Sequence, residues 1–344
     1  MKQIETPPHS RNESLDTFRM LAALCVIIVH AEYSNLSSAI VAGAKFMSFW
    51  VIPFFFIISG YFLAEKTART GTLDVRSTIE RMGWVFLIWI IIYLPLEIWD
   101  DGLDALGVFD MATTPMFLYH GDYYHLWYMS SMALGCLFIA VCYRYNAKIL
   151  IPIMSVAAIV ISIIASGYDV LGLSSAVGTQ IPKFWRSIPF LYLGFLIYRR
   201  GLPPWWISAL LAVIGVVVQP LEVRFIYEQY GIQAYRELLV GSTLTGVGMA
   251  CLALSNLRFL QVPLLSRLGR EYALGVYLIH PIVIFLTGFV MFRFAPAIAR
   301  SKIWQMALPL TLLFLCIAAM SAVKRYAPSV YNFLLGVRAS SPQN

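Results

Sequence analysis

Ten apolar runs, separated by short polar or charged stretches, set the limits on what this chain can fold into. They fall near 17–33, 43–64, 82–99, 123–143, 149–166, 184–198, 204–220, 237–255, 273–292 and 303–323. Most approach the roughly 20 residues that an α-helix needs to cross a hydrocarbon core about 30 Å thick. In lipid every backbone N–H and C=O has to be satisfied within its own segment, which helices do. The predicted class is therefore all-α: a polytopic membrane helix bundle of about ten transmembrane helices. The chain reads as a single membrane domain over residues 1–344, with helices from about 14 to 323, short tails and no fused soluble domain.

Composition agrees, since 60% of residues are hydrophobic and 12% are charged. A soluble surface needs more charge than that. The formal charge of +7 is read as the cytoplasmic bias of Lys and Arg in membrane proteins, not as a nucleic-acid surface. With the N-terminus inside, most Lys and Arg fall on inner segments. Asp100, Asp101, Asp104, Asp110 and Asp122 share one outer loop that holds no Lys or Arg. That places both termini in the cytoplasm. The N-terminal dozen residues are polar and lack a small-residue cleavage site, so the first helix is expected to be retained. Cys25, Cys136, Cys142, Cys251 and Cys316 lie in or beside apolar runs without CxxC spacing, which supports neither a disulfide framework nor a zinc site.

Within this frame, Ser14–Tyr33 carries two residues that do not belong in lipid. Ser14 or Asp16 reads as the N-cap, Arg19 lies at the inner rim, and His30 is well inside. Eleven positions on a helix give about 1100° of rotation and roughly 16 Å of rise, so both side chains leave from nearly the same face. An intramembrane ionisable residue is a functional-site hypothesis by default. His30 is either a hydrogen-bonded core histidine or a general base, and the Arg19 register favours the base. Arg19 is either a lipid-phosphate contact or part of a cationic mouth with Arg76 and Arg81 before the third run and Arg267 and Arg270 before the ninth. Guanidinium suits phosphate. The Arg19–His30 spacing is comparable to an extended pantetheine arm, which would hold nucleotide phosphates at the rim and a thioester at the imidazole.

Other candidates are read beside their plainer alternatives. Ser59 and Tyr61, flanking Gly60 in P-F-F-F-I-I-S-G-Y-F-L, are a hydroxyl pair beside a cofactor channel or a close-packing step. His125 and Trp127 of Y-Y-H-L-W-Y-M orient a polar acceptor or belong to an interfacial aromatic belt. His280 of L-G-V-Y-L-I-H-P, about seven residues above the start of its run, is a structural or positioning group. His9, His120 and Glu97 are assigned nothing. No Gly-rich phosphate loop, GxSxG, HExxH or DxD-like motif occurs, so neither metal nor serine-type chemistry is expected.

The string S-L-D-T-F-R-M-L-A-A-L-C-V-I-I-V-H resembles the acyltransferase-3 family of integral-membrane acyltransferases. So do P-F-F-F-I-I-S-G-Y-F-L, H-L-W-Y-M and G-V-Y-L-I-H-P, and together the four motifs span nearly the whole chain. The resemblance implies a ten-helix protein of the bacterial inner membrane. Such a protein moves an acyl group, usually acetyl, from cytoplasmic acetyl-CoA to a hydroxyl of a cell-envelope glycan or lipid-linked sugar. In the family the arginine and histidine of the first motif are essential, which carries over to Arg19 and His30. Arg19, with Arg81 or Arg270, is then expected to hold the donor's phosphates, with Ser59 and Tyr61 beside the donor and His125, Trp127 and His280 on the acceptor side. Either His30 deprotonates the acceptor, or it is itself acylated and relays the group. The rival class is a membrane transporter of a small polar solute or amino acid, because intramembrane ionisable residues also mark transport pathways.

Overall fold

The computed structural model describes residues 11–102, 107, 113, 124–164, 183, 185–231 and 237–337. Among them no strand occurs, and the expected all-α class holds. Asp104, Asp110 and Asp122 of the acidic loop, with His9 and His120, lie outside the described residues.

The helices are α1 (Glu13–His30), α2 (Ser38–Phe46), α3 (Val51–Thr70), α4 (Arg76–Asp101), α5 (Trp127–Arg144), α6 (Leu150–Ile161) and α7 (Ser187–Arg200), then α8 (Trp205–Tyr230), α9 (Val240–Leu254), α10 (Pro263–Phe294), α11 (Pro296–Ala299), α12 (Lys302–Tyr326) and α13 (Pro328–Leu334). Among the described residues, five segments are long and apolar enough to cross a membrane: 38–70, 76–99, 205–229, 263–294 and 302–326. Their outward side chains are apolar as well, with Ile91, Trp99, Phe289, Met306 and Phe314 all exposed. An apolar surface of this kind is a liability in water and a fitting boundary in lipid.

α1 is the central element. Leu15, Phe18, Ala22 and Val26 recur at three- and four-residue steps and enter one core with α3, α5, α7 and α9. Met20, Ala23 and Ile27 lie on another face and enter a second core with α4, α10 and α12. A helix apolar on both sides belongs inside a bundle. Its N-cap is Asn12, not Ser14 or Asp16: the Asn12 Oδ1 accepts from Leu15 N at 2.7 Å. The Asn12 amide also donates to Leu254 O at 3.0 Å. One side chain thereby joins the start of α1 to the end of α9, and the two helices run antiparallel. α1 also ends at His30, before Tyr33, because Ala31 turns to an extended conformation.

α1 and α10 run parallel and approach closely. A Cβ on Gly269 would collide with Asp16 O, so only glycine allows this contact. α3 and α7 meet in the same way, Gly60 facing the Leu191 backbone and Gly194 facing Ile57 O and Tyr61 N. Small residues are the usual means of such close helix packing.

Several expected boundaries are corrected: the third run begins at Arg76, six residues before 82, and the seventh continues to Tyr230, ten beyond 220. The second apolar run is split by 47–50 into α2 and α3. The ninth begins at Pro263, with Pro in the first turn, ten residues before 273. Arg81 and Arg270 therefore lie on helical bodies and not in loops ahead of them. His280 stands 17 residues above the helix start (280 − 263), about 26 Å at 1.5 Å per residue, not seven. In the turn between α3 and α4, Gly71 takes φ +72°, and the Asp74 carboxylate accepts from Lys66 Nζ at 2.9 Å and Arg76 N at 3.0 Å. The Lys66 hydrogen bond first, then that of Arg76, hold its carboxyl below the ordinary carboxylate range.

Candidate active site

Register brings the histidines together. His30 is 17 residues beyond Glu13 (30 − 13) and His280 is 17 beyond Pro263, so parallel α1 and α10 carry both to the same height. Their rings lie 5.3 Å apart between centroids. His125, on the turn ahead of α5, comes in from a third direction, 5.3 Å from His280. Three of the chain's five histidines thus meet, although 95 residues separate His30 from His125 and 155 separate His125 from His280.

Each ring is held by aromatic neighbours. Tyr124 packs on His30 at 4.5 Å. Tyr93 and Tyr277 meet His125 edge-on at 5.0 and 5.5 Å. The Tyr277 hydroxyl donates to His125 O at 2.5 Å, and the Tyr93 hydroxyl donates to Leu278 O at 2.6 Å. These bonds fasten the turn before α5 and helix α4 to the middle of α10.

Pro281 accounts for the state of His280. Having no N–H, it leaves the Tyr277 carbonyl, four residues back, without its helical donor. His280 Nδ1 lies 2.6 Å from that carbonyl. A carbonyl only accepts, so Nδ1 carries a proton, and in the neutral form of this ring Nε2 holds the lone pair. Nε2 is buried without a hydrogen-bond partner among the described residues. The sequence motif L-I-H-P therefore makes a ring of defined tautomer in contact with His30.

A cavity of about 60 Å³ opens on this cluster, lined among others by His30, His125, Trp127, Tyr128, Glu237 and Tyr277. A water needs about 10–15 Å³, so the space has room for several waters or a small polar group. Glu237 pairs with Arg186 Nη1 at 2.6 Å and with Lys183 Nζ at 3.6 Å. Both cations also stand over the Trp127 ring, at 5.7 and 5.8 Å. Burial pushes the Glu237 carboxyl up, but Lys183 and Arg186 outweigh it and hold the group down at about 2. The carboxylate is thus a fixed charge on the cavity wall. Among the described residues no group of His, Cys, Asp and Glu has metal-holding geometry.

Arg19 sits at the opposite end of α1, outside this cavity. Its Nη1 is 3.0 Å from Asp16 Oδ1, its guanidinium is 5.8 Å from the Phe62 ring, and Arg11 takes the other Asp16 oxygen at 2.7 Å. The other rim residues each have local partners. Arg81 Nε donates to Leu335 O at 3.2 Å. Arg270 shares Glu271 with Arg267 and Lys324 at 3.6, 3.8 and 3.1 Å respectively. Ser59 donates to Phe55 O at 2.8 Å, and Tyr61 packs edge-on against Phe62 and Tyr198. Of the sequence candidates, the structure groups His30, His125, Trp127 and His280 in one place, joins Ser59 to it through a hydrogen bond with the cavity residue Tyr128, and leaves Arg19, Arg81, Arg270 and Tyr61 apart from it.

Sequence reasoning missed Tyr93, Tyr124, Tyr128 and Tyr277, which look like ordinary membrane aromatics, and the Glu237–Arg186–Lys183 group. The available signal for the latter was charge directly beside apolar runs: K-F-W-R before 187 and R-E before 238.

The chain was compared with known proteins. The family model Acyl_transf_3, described as an acyltransferase domain, matches residues 12–323 and so includes every residue of the histidine cavity. An amino-acid racemase of Enterococcus faecalis is 26% identical over 140 residues, covering 39% of this chain and 20% of that protein. A serine/alanine racemase of Enterococcus gallinarum is 28% identical over 137 residues, covering 37% and 19%. The chain thus spans about one fifth of the length of these curated relatives. No solved structure matches.

Proposed function

The chain belongs to the acyltransferase-3 family, and from that premise we propose that it transfers an acetyl group from cytoplasmic acetyl-CoA to a hydroxyl of a cell-envelope carbohydrate. The observation that carries this reading is that His30 and His125 share the wall of one cavity, with the buried His280 ring packed against both. In the proposed step His30 takes the acceptor's hydroxyl proton and the oxygen attacks the thioester carbonyl. The C–S bond then breaks, and the CoA thiolate recovers the proton from the imidazolium. A positioned imidazole of this kind contributes about 10²–10⁴-fold. The lone pair at His280 Nε2 gives the His30 ring a neighbouring acceptor, which favours proton movement over acylation of His30.

The donor is read as entering at the Arg19 end. There Arg11 and Arg19 share one carboxylate, Asp16, and so leave one positive charge in excess. The reading keeps ten crossings with both termini in the cytoplasm of a bacterial cell; the bias of Lys and Arg toward the inner segments is what supports that orientation.

Membranes containing the full chain, supplied with labelled acetyl-CoA, test the assignment. Wild type is expected to label the glycan fraction and release CoA in proportion, and His30→Gln to do neither. Full transfer by a folded His30→Gln variant removes the base from the mechanism. Solute accumulation in proteoliposomes without acetyl-CoA would establish the transporter instead.

A further inference from the structure

The buried ion pair beside His30 takes no part in the chemistry proposed above, and its geometry is unusual for a structural bridge. The Arg186 side chain is 1% exposed and that of Lys183 19%, whereas the Glu237 side chain is 30% exposed. Burying a guanidinium is costly, and a well-packed apolar pair generally serves stability as well or better. Here the cation is sunk and the acid it holds is left open. The open side is the wall of the cavity that also contains His30.

Its location follows from the helix directions. Asn12 binds Leu254 O, so the start of α1 meets the end of α9. The other end of α9, which Glu237 precedes by three residues, therefore lies at the His30 end of α1, away from Arg19. A carboxylate offers about four lone-pair positions. Arg186 uses one at Oε2 and Lys183 approaches Oε1, which leaves positions on the cavity side able to accept hydrogen bonds. Hydroxyls of a polyol are donors of matching size and polarity.

We propose that Glu237, held by Arg186 and Lys183, is an acceptor-binding residue: its carboxylate accepts a hydrogen bond from a second hydroxyl of the carbohydrate, next to the one presented to His30. This inference rests on the acyl-transfer reading and adds a substrate requirement, a polyol with a hydroxyl neighbouring the acylated one. A simple monohydric alcohol lacks the second contact.

The experiment uses the full-length protein in proteoliposomes, acetyl-CoA as donor, and methyl hexopyranosides and their monodeoxy analogues as acceptor probes, with CoA release as the readout. Glu237→Gln is isosteric but removes the negative charge opposite Arg186, so Glu237→Asp, which keeps the charge and shortens the reach, is measured beside it. The expected result is a rise of about tenfold or more in the glycoside KM for Glu237→Asp, as for loss of a hydrogen bond to a charged group. The KM for acetyl-CoA stays in place, and the wild-type preference for the parent glycoside over its deoxy analogue disappears. An unchanged glycoside KM, or a fall in kcat alone, overturns the role of Glu237 while leaving acyl transfer intact. If no glycoside stimulates CoA release by wild type, the carbohydrate reading fails and this inference with it.

Discussion

The two ends of α1 solve different problems. At the His30 end the two supporting histidines are packed in: His280 is 0% and His125 2% exposed. His125 is braced by Tyr93 and Tyr277 and His280 by Tyr277 of its own helix, while His30 and Glu237 face the cavity. At the Arg19 end the polar groups are open and exchangeable. The Arg19 side chain is 34% exposed, and those of Arg267, Arg270 and Lys324, which crowd around Glu271, are 73, 43 and 44% exposed. Position at the first end is set by packing, which is stiff. At the second it is set by charge, which salt screens within about 10 Å. Chemistry that depends on sub-ångström placement belongs at the first end, and capture of a flexible polyanion suits the second.

Four measurements test this contrast, and the largest effect is expected at His30. His30→Gln should lower kcat by about 10²–10⁴-fold and leave the KM for acetyl-CoA unchanged, since no rim group is touched. A change in donor KM alone would reverse the roles of the two ends. Next comes Gly269→Leu, at the inner contact of α1 with α10. Overpacking there should cost about 1–3 kcal/mol, seen as a lower thermal midpoint. Labelled transfer should fall as well, because the register that joins His30 to His280 begins at this contact. Full activity with normal stability would mean that the cavity is not positioned from the inner end.

Arg19→Ala should raise the acetyl-CoA KM by about tenfold, as for a lost charged hydrogen bond, with kcat retained and Arg19→Lys recovering part of the loss. The wild-type KM should itself rise with salt, and a salt-insensitive KM would separate Arg19 from the donor's phosphates. The smallest effect is expected for Glu271→Gln, within about 1 kcal/mol in a denaturation series, because its pairs are exposed and share three cations. A large loss there would show that the rim too is built by packing.

Much of the fold was legible because lipid enforces simple rules. The apolar runs near 17–33, 82–99 and 303–323 correspond to α1, α4 and α12, displaced at their ends by a few residues. The two greatest errors, of ten residues each, were at the end of α8, expected near 220 and found at Tyr230, and at the start of α10, where hydropathy marked a start near 273. The stretch P-L-L-S-R-L-G-R-E-Y is too charged to read as a membrane segment, yet backbone hydrogen bonding continues through it. Helix propensity does not stop where apolarity does. In the site, the face shared by Arg19 and His30 followed from the 3.6-residue period, and H-P in α10 marked a freed carbonyl. Their company did not follow: Tyr93, Tyr277 and Glu237 carry no local pattern that distinguishes them from belt aromatics or a loop acid.

The amino-acid order alone determined the helices, the apolar exterior and the offset of Arg19 from His30, since each depends on interactions within a turn or two. Which histidines meet and which acid faces the cavity depend instead on contacts between residues far apart in the chain. Gly269 against Asp16 and Asn12 against Leu254 set the height of one helix beside another, and a shift of a single turn, about 5.4 Å, would part the rings. That decision belongs to the packed bundle, because a helix specifies its own faces but not the level at which its neighbour is held.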